Sequence, residues 1–285
     1  MIREIRDLGF EFAELSHGVS LGLVPGILDA VTAGEIKIST LHNFCPLPVG
    51  VTGPSPNVYE FTSDDPRNHE AAVKNTLRTL DFAVKVKAPL VVLHLGRMEL
   101  KDYGDRLKKM LAAGERATPK YEKLLAEAKA KRESRKKGAM ERLYATLKKL
   151  VPEAEKRGLR LGCENREAVE ELLLDDDFEN FFRDFDSSNV AYWHDCGHGQ
   201  IKENLGFIQV VNQLDALSNR LAGFHIHDVQ FPARDHCPPG AGMIDFAAIK
   251  PFVRPEHIKV FELSPRVAVE DLQKGVAHLK SIWGE

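Results

Sequence analysis

The sequence predicts an α/β fold in which parallel strands and crossover helices build a (β/α)8 barrel, with the first β-strand missing or incomplete. Three observations predict this. Short apolar runs alternate with helical patterns along the chain, and that strict alternation argues for parallel pairing through helical crossovers. The runs are apolar nearly throughout, as strands covered on both faces are. Four of them in the C-terminal half end in carboxylates and imidazoles, the way barrel strands deliver side chains to one mouth.

Residues 2–8 read as the end of a helix, so the strand expected ahead of them is the missing one. Strands are read at 9–16, 37–44, 89–96, 160–166, 190–198, 223–229 and 259–265. Helices are read near 25–33, 69–87, 143–157, 177–185, 206–219, 246–252 and 269–283. Seven strands fall one short of a closed barrel. An open sheet exposes two edges, so an incomplete barrel, a start codon placed too late, or a closing partner or tail is expected. The loop 45–68 holds Pro46, Pro48, Pro54, Pro56 and Pro66 and follows a strand on the side where barrel sites are built. Residues 101–149 differ in kind, being rich in Lys, Arg, Glu and Ala and carrying the run from Lys129 to Lys137. They read as a solvated helical hairpin of mixed charge, with a basic cover attracting an anionic substrate as the alternative. Pro119 marks a helix start or a break.

A chain of 285 residues with 43% hydrophobic and 28% charged residues suits one large domain spanning residues 1–285. The formal net charge of -3 gives no basic field for nucleic acid. No apolar run approaches the roughly 20 residues of a membrane span, and Met1-Ile2-Arg3-Glu4 opens no signal region, so a cytoplasmic protein is expected. None of the four cysteines (Cys45, Cys163, Cys196 and Cys237) forms a C-x-x-C pair, which points to reduced thiols rather than a cysteine zinc site.

The chemistry sits at the strand ends: Glu164-Asn165-Arg166, Asp195-Cys196-Gly197-His198, His225-Ile226-His227-Asp228, and Glu262. Strand alternation gives a consistent reading. Placing Glu262, His225, His94, His42 or Glu14 inward leaves mostly apolar neighbours facing the helices. Several carboxylates converging at a mouth repel one another and are costly to bury, and a divalent cation removes both problems. Glu164, Asp195, His225 and Glu262 offer three carboxylates and an imidazole, a set suited to manganese, magnesium, cobalt or zinc. His17, His69, His257 and His278 are given no role.

These motifs, with Pro239-Gly240-Ala241-Gly242-Met243-Ile244-Asp245-Phe246 and Phe261-Glu262-Leu263, resemble those of the xylose isomerase-like TIM-barrel superfamily across nearly the whole chain. The resemblance implies a (β/α)8 TIM barrel and a sugar or sugar phosphate isomerase or epimerase, often a homo-oligomer. It implies that Glu164, Asp195, His225 and Glu262 hold one divalent metal. Glu164 and Glu262 would shuttle protons on opposite faces of the substrate through a metal-stabilised enediolate. His198 would contact substrate oxygens, with His94, His42, His236 and Arg234 bordering the same pocket. Two other branches compete: an inosose-dehydratase-type lyase, and an endonuclease IV-like multi-zinc phosphodiesterase. The latter's Asp-x-His ligand pattern reads Arg234-Asp235-His236 here, and an arginine cannot bind zinc. A barrel that binds a polyol without turnover is the third reading, and both glutamates argue against it.

Overall fold

Helix α1 (Ile2–Asp7) opens the chain, followed by strand β1 (Phe12–Leu15), α2 (Val24–Thr32), β2 (Lys37–His42), α3 (Pro66–Lys85) and β3 (Leu90–Leu93). Next come α4 (Tyr103–Ala112), α5 (Pro119–Lys156), β4 (Arg160–Glu164), α6 (Asp175–Asp184), β5 (Val190–Asp195), α7 (Cys196–Leu205) and α8 (Val210–Leu217). The chain ends with β6 (Leu221–Ile226), β7 (Asp228–Gln230), β8 (Arg234–Cys237), α9 (Phe246–Ile249), β9 (Ile258–Phe261) and α10 (Val269–Trp283). This computed structural model describes residues 2–53, 55 and 57–284, without the side chains of Asp175 and Asp176. Met1 of the N-terminal reading and Pro54 and Pro56 of the loop reading lie outside these residues.

Seven strands share one sheet in the order β1-β2-β3-β4-β5-β6-β9, and every register given within it is parallel. Each expected strand is present. Among the described residues nothing stands for an eighth, since α1 precedes β1. No helix among them is long and apolar enough to cross a membrane.

The contacts gather into two compact units. The first holds β1 to β4 with α1 to α3 and the C-terminal part of α5. Its core is Leu41, Val91, Val92, Leu93, Leu161 and Cys163 from the strands, covered by Leu80 and Ala83 of α3 and Leu147 and Leu150 of α5, all without solvent exposure. Helix α3 starts where its sequence says: Pro66 occupies the first turn and the Asp65 side chain accepts from the Arg67 amide at 2.9 Å.

The second unit holds most of β5, then β6 to β9, α4, the N-terminal part of α5, and α6 to α10. One core cluster joins Tyr103 and Leu107 of α4, Tyr121 and Ala128 of α5, Ile201 and Leu205 of α7, and Val229 of β7.

Three readings change. Residues 196–198 were expected to extend a strand, but they open α7, because the Asp195 side chain accepts from the His198 amide at 2.7 Å and caps the helix there. Residues 228–237, expected to contain no strand beyond 229, form the antiparallel hairpin β7–β8. The charged run is one 38-residue helix beginning at Pro119. Lys131, Glu133, Arg135 and Lys137 are solvated as expected, but Arg132 is only 1% exposed. Its guanidinium donates to the Val169 and Glu171 carbonyls at 3.0 and 2.9 Å and to Asp177 at 3.1 Å. Burial raises the Asp177 carboxyl, but the Lys136 hydrogen bond and the Arg132 and Lys136 charges outweigh it and hold that group low.

All four cysteines are free and buried. Burial pushes the Cys45, Cys163 and Cys196 thiols up, with nearby carboxylates adding to the effect at Cys45 and Cys196. A thiol reagent such as Ellman's reagent is expected to label no cysteine in the native protein and all four in denaturant; rapid native labelling would contradict this packing.

Candidate active site

In the first unit the site is built around Glu164, the last residue of β4 and fully buried. The His94 Nε2 atom lies 2.8 Å from Glu164 Oε2, and His42 Nε2 lies 3.5 Å from the same oxygen. His42 ends β2 and His94 follows β3, so three successive strand ends supply the group. The two imidazoles meet edge to face at 4.7 Å. Each ring is held from its other nitrogen. His42 Nδ1 donates to the Asn43 carbonyl, and His94 Nδ1 faces the Asn57 side-chain oxygen, both at 3.2 Å. A carbonyl can only accept, so His42 carries a proton on Nδ1. Asn43, Phe44, Asn57, Tyr59, Phe61 and His94 line a small cleft here. Glu14 is engaged separately and accepts from the Thr40 hydroxyl at 2.7 Å.

In the second unit Asp195, His225 and Glu262 come together. Asp195 ends β5, His225 lies in β6, and Glu262 follows β9. His225 Nδ1 lies 3.0 Å from Glu262 Oε2 and 3.8 Å from Asp195 Oδ2. Asp195 and His225 are without solvent exposure, and the Glu262 side chain is 27% exposed. Asp195 is fixed from several sides. The Asn165 side-chain amide pairs with its backbone in both directions, accepting from the Asp195 amide at 2.7 Å and donating to its carbonyl at 3.0 Å. His227 Nε2 lies 2.9 Å from one carboxylate oxygen and 3.1 Å from the other. Gly197 is required here because a Cβ at that position would run into the His227 ring.

The hairpin β7–β8 brings His236 over this region. Its ring stacks on that of His227 at 4.3 Å with an interplanar angle of 7°, and its backbone amide donates to His227 Nδ1 at 2.9 Å. Burial opposes a charge on His236, but the Asp235 hydrogen bond and the negative charges of Asp235, Glu262 and Asp195 outweigh it, so its pKa is pushed up to about 9. Asp228 organises the following loop. Its carboxylate accepts from the amides of Val229, Gly240, Gly242 and Ile244 at 2.7 to 3.0 Å. A Cβ at Gly242 would collide with the Asp228 carboxylate and the Val229 carbonyl.

Of the residues singled out in the sequence, the structure brings His42 and His94 to Glu164, and His198, His225 and Glu262 to Asp195. Arg234 is exposed and donates to the Gln230 side chain at 3.3 Å, so it stands at the rim. Four residues with organising roles were quoted in the motifs without a role: Asn165, Arg166, His227 and Asp228. The signal for Asp228 was its place ahead of a Pro-Gly-x-Gly turn rich in amides that need an acceptor.

Comparison with known proteins is consistent with this geometry. No curated protein matches the chain. Among solved structures it resembles a D-tagatose 3-epimerase-like protein, with a TM-score of 0.70 at 16% identity over 99% of this chain and 91% of that one. It also resembles D-psicose 3-epimerase with D-tagatose from Clostridium cellulolyticum H10, with a TM-score of 0.67 at 14% identity over 99% and 92%. A third is the IOLI protein with a binding zinc atom, with a TM-score of 0.64 at 14% identity over 99% and 92%. At these identities the likeness is one of fold. The family profile for the xylose isomerase-like TIM barrel matches residues 2–282, so the chain belongs to the xylose isomerase-like TIM-barrel family.

Proposed function

We propose that this protein is a divalent-metal-dependent isomerase or epimerase of a small sugar or related polyol, working as a single catalytic domain. Glu164, Asp195, His225 and Glu262 would hold the ion, and Glu164 and Glu262 would move the proton. The observation that carries this reading is the approach of His225 to both Glu262 and Asp195 from three separate strand ends. Those three residues come together within the second unit, and Glu164 at the end of β4 is assigned as the fourth ligand. Their donor set fits the group: carboxylate oxygens and one imidazole suit manganese, magnesium, cobalt or zinc. The epimerases among the structural neighbours support a sugar as substrate.

When bound, a divalent ion supplies a Lewis acid for the oxygens beside the reacting carbon. Glu164, oriented by His94 and His42, takes the proton from the carbon next to a carbonyl. Glu262 returns a proton on the opposite face. His198 and His236 border the substrate, and Arg234 reaches it only from the rim.

The grouping of His42 and His94 on Glu164 favours a second reading, a multi-zinc phosphodiesterase, since both are zinc-ligand types turned to one carboxylate. One experiment separates the two. Metal content is measured on the purified protein, which is then incubated in heavy water with D-fructose, D-psicose and D-tagatose. One equivalent of divalent metal is expected, together with chelator-sensitive loss of the proton signal beside the carbonyl. Three equivalents of zinc with cleavage of abasic-site DNA, and no exchange on any ketose, would overturn the proposal.

A further inference from the structure

We propose that the cleft beside His94 is a subsite for one free hydroxyl at the far end of the substrate, accepted by the Asn43 side-chain oxygen, and that it confines the enzyme to sugars unphosphorylated at that end. The proposal rests on the reading above for where the substrate lies, and it names the class of sugar taken.

Asn43 follows His42, the last residue of β2, and is 3% exposed. Its backbone is fully engaged. The amide donates to the Val92 carbonyl at 3.0 Å, and the carbonyl accepts from His42 at 3.2 Å. Its side-chain Nδ2 lies 3.0 Å from the Thr76 hydroxyl. That hydroxyl gives its one proton to the Ala72 carbonyl at 2.8 Å, so toward Asn43 it accepts, and the amide cannot be turned the other way. Asn43 Oδ1 is thereby fixed as an acceptor. Among the described residues it has no hydrogen-bond partner. A buried acceptor without a donor is costly, and a ligand that brings the donor recovers that cost.

Asn43 is part of the cleft wall, with Phe44, Tyr59 and Phe61 beside it. The Phe44 ring stands edge to face with Tyr59 at 5.8 Å and with Phe61 at 6.5 Å, so the remaining wall is aromatic and buries apolar carbon well. The space between takes about one water-sized group, enough for a hydroxyl and too little for a phosphate. Charge selects in the same direction. Among the described lining residues one is acidic, Glu60, and none is Lys or Arg. A phosphate dianion brings negative charge and acceptor oxygens to a wall that needs a donor. A hydroxyl supplies that donor. His94 turns Nε2 to Glu164 and Nδ1 to Asn57, another lining residue, so the base and the cleft lie on opposite sides of one ring. The hydroxyl held there therefore belongs to the end of the substrate away from the carbon that Glu164 addresses.

The test compares D-fructose, 6-deoxy-D-fructose and D-fructose 6-phosphate on the full chain in magnesium chloride. The reporter is the nitrogen-15 side-chain amide signal of Asn43, identified by its loss in Asn43→Leu. Fructose is expected to shift that signal and to bind about tenfold or more tighter than the 6-deoxy sugar, which leaves the acceptor unpaired. The 6-phosphate is expected not to bind at concentrations that saturate with fructose. In Asn43→Leu the preference for fructose over the 6-deoxy sugar should vanish while the 6-deoxy sugar binds as to wild type, a result that loosened packing alone would not give. Equal affinity of wild type for fructose and either analogue would overturn the proposal, and so would a preference retained in an Asn43→Leu variant of native melting temperature. The wild-type comparison decides the matter even where that variant fails to fold. Exchange beside the carbonyl in heavy water, on fructose and its 6-phosphate alike, removes the subsite and leaves the isomerase. Selective binding of fructose without such exchange removes the isomerase and leaves the subsite. Failure of all three sugars to bind removes both.

Discussion

Glu164→Gln is expected to lower turnover by about a thousandfold or more, within the range that positioned acid–base groups contribute. Glutamine keeps the volume and one oxygen that His94 and His42 can face, so the packing of the β4 end survives. It loses the charge and the basic lone pair. Circular dichroism and the melting temperature should stay near wild type while ion affinity falls, because one anionic ligand is gone. His94→Asn is the comparison. It leaves the carboxylate in place and removes only an orienting contact, so its loss should be smaller. Wild-type rates in Glu164→Gln, on a ketose that wild type turns over, would remove Glu164 from the chemistry.

The largest stability effect is expected at a residue of the basic excursion. Arg132→Met leaves the Val169 and Glu171 carbonyls and the Asp177 carboxylate without the guanidinium that now satisfies them. Breaking a buried pair in this way costs about 3 to 5 kcal/mol. The exposed neighbour Arg135→Met should stay within about 0.5 kcal/mol. Denaturant unfolding of the two variants checks the difference, and hydrogen exchange in Arg132→Met should rise first in residues 167–177. Equal stabilities would mean that Arg132 is packed rather than bonded. The effect should also reach the site. The segment Arg132 holds contains Glu171, Glu171 anchors Arg166, and Arg166 engages His198.

The strands were legible because a strand covered on both faces is written as a local apolar run, and all seven runs became strands. The start of α3 was legible in Pro66, and the start of α5 in Pro119. The start of α7 was misread because Asp195 was taken as a strand end alone, and its second role as a helix cap is equally local. The hairpin β7–β8 was hidden for a different reason. The ring of His227 and the carboxylate of Asp228 gather amides from residues up to sixteen positions away, a match no periodicity reveals.

By itself, the sequence determined the parallel α/β order and the residue types placed at the strand ends, since both follow from periods of two and 3.6 and from turn chemistry. The tertiary structure alone decided how those residues are used: that Arg132 is interior, that Asp195 is clamped by Asn165, and that Arg166 and the His236 amide engage the histidine nitrogens. A ring nitrogen becomes donor or acceptor according to the group facing it, and folding brings that group from elsewhere in the chain.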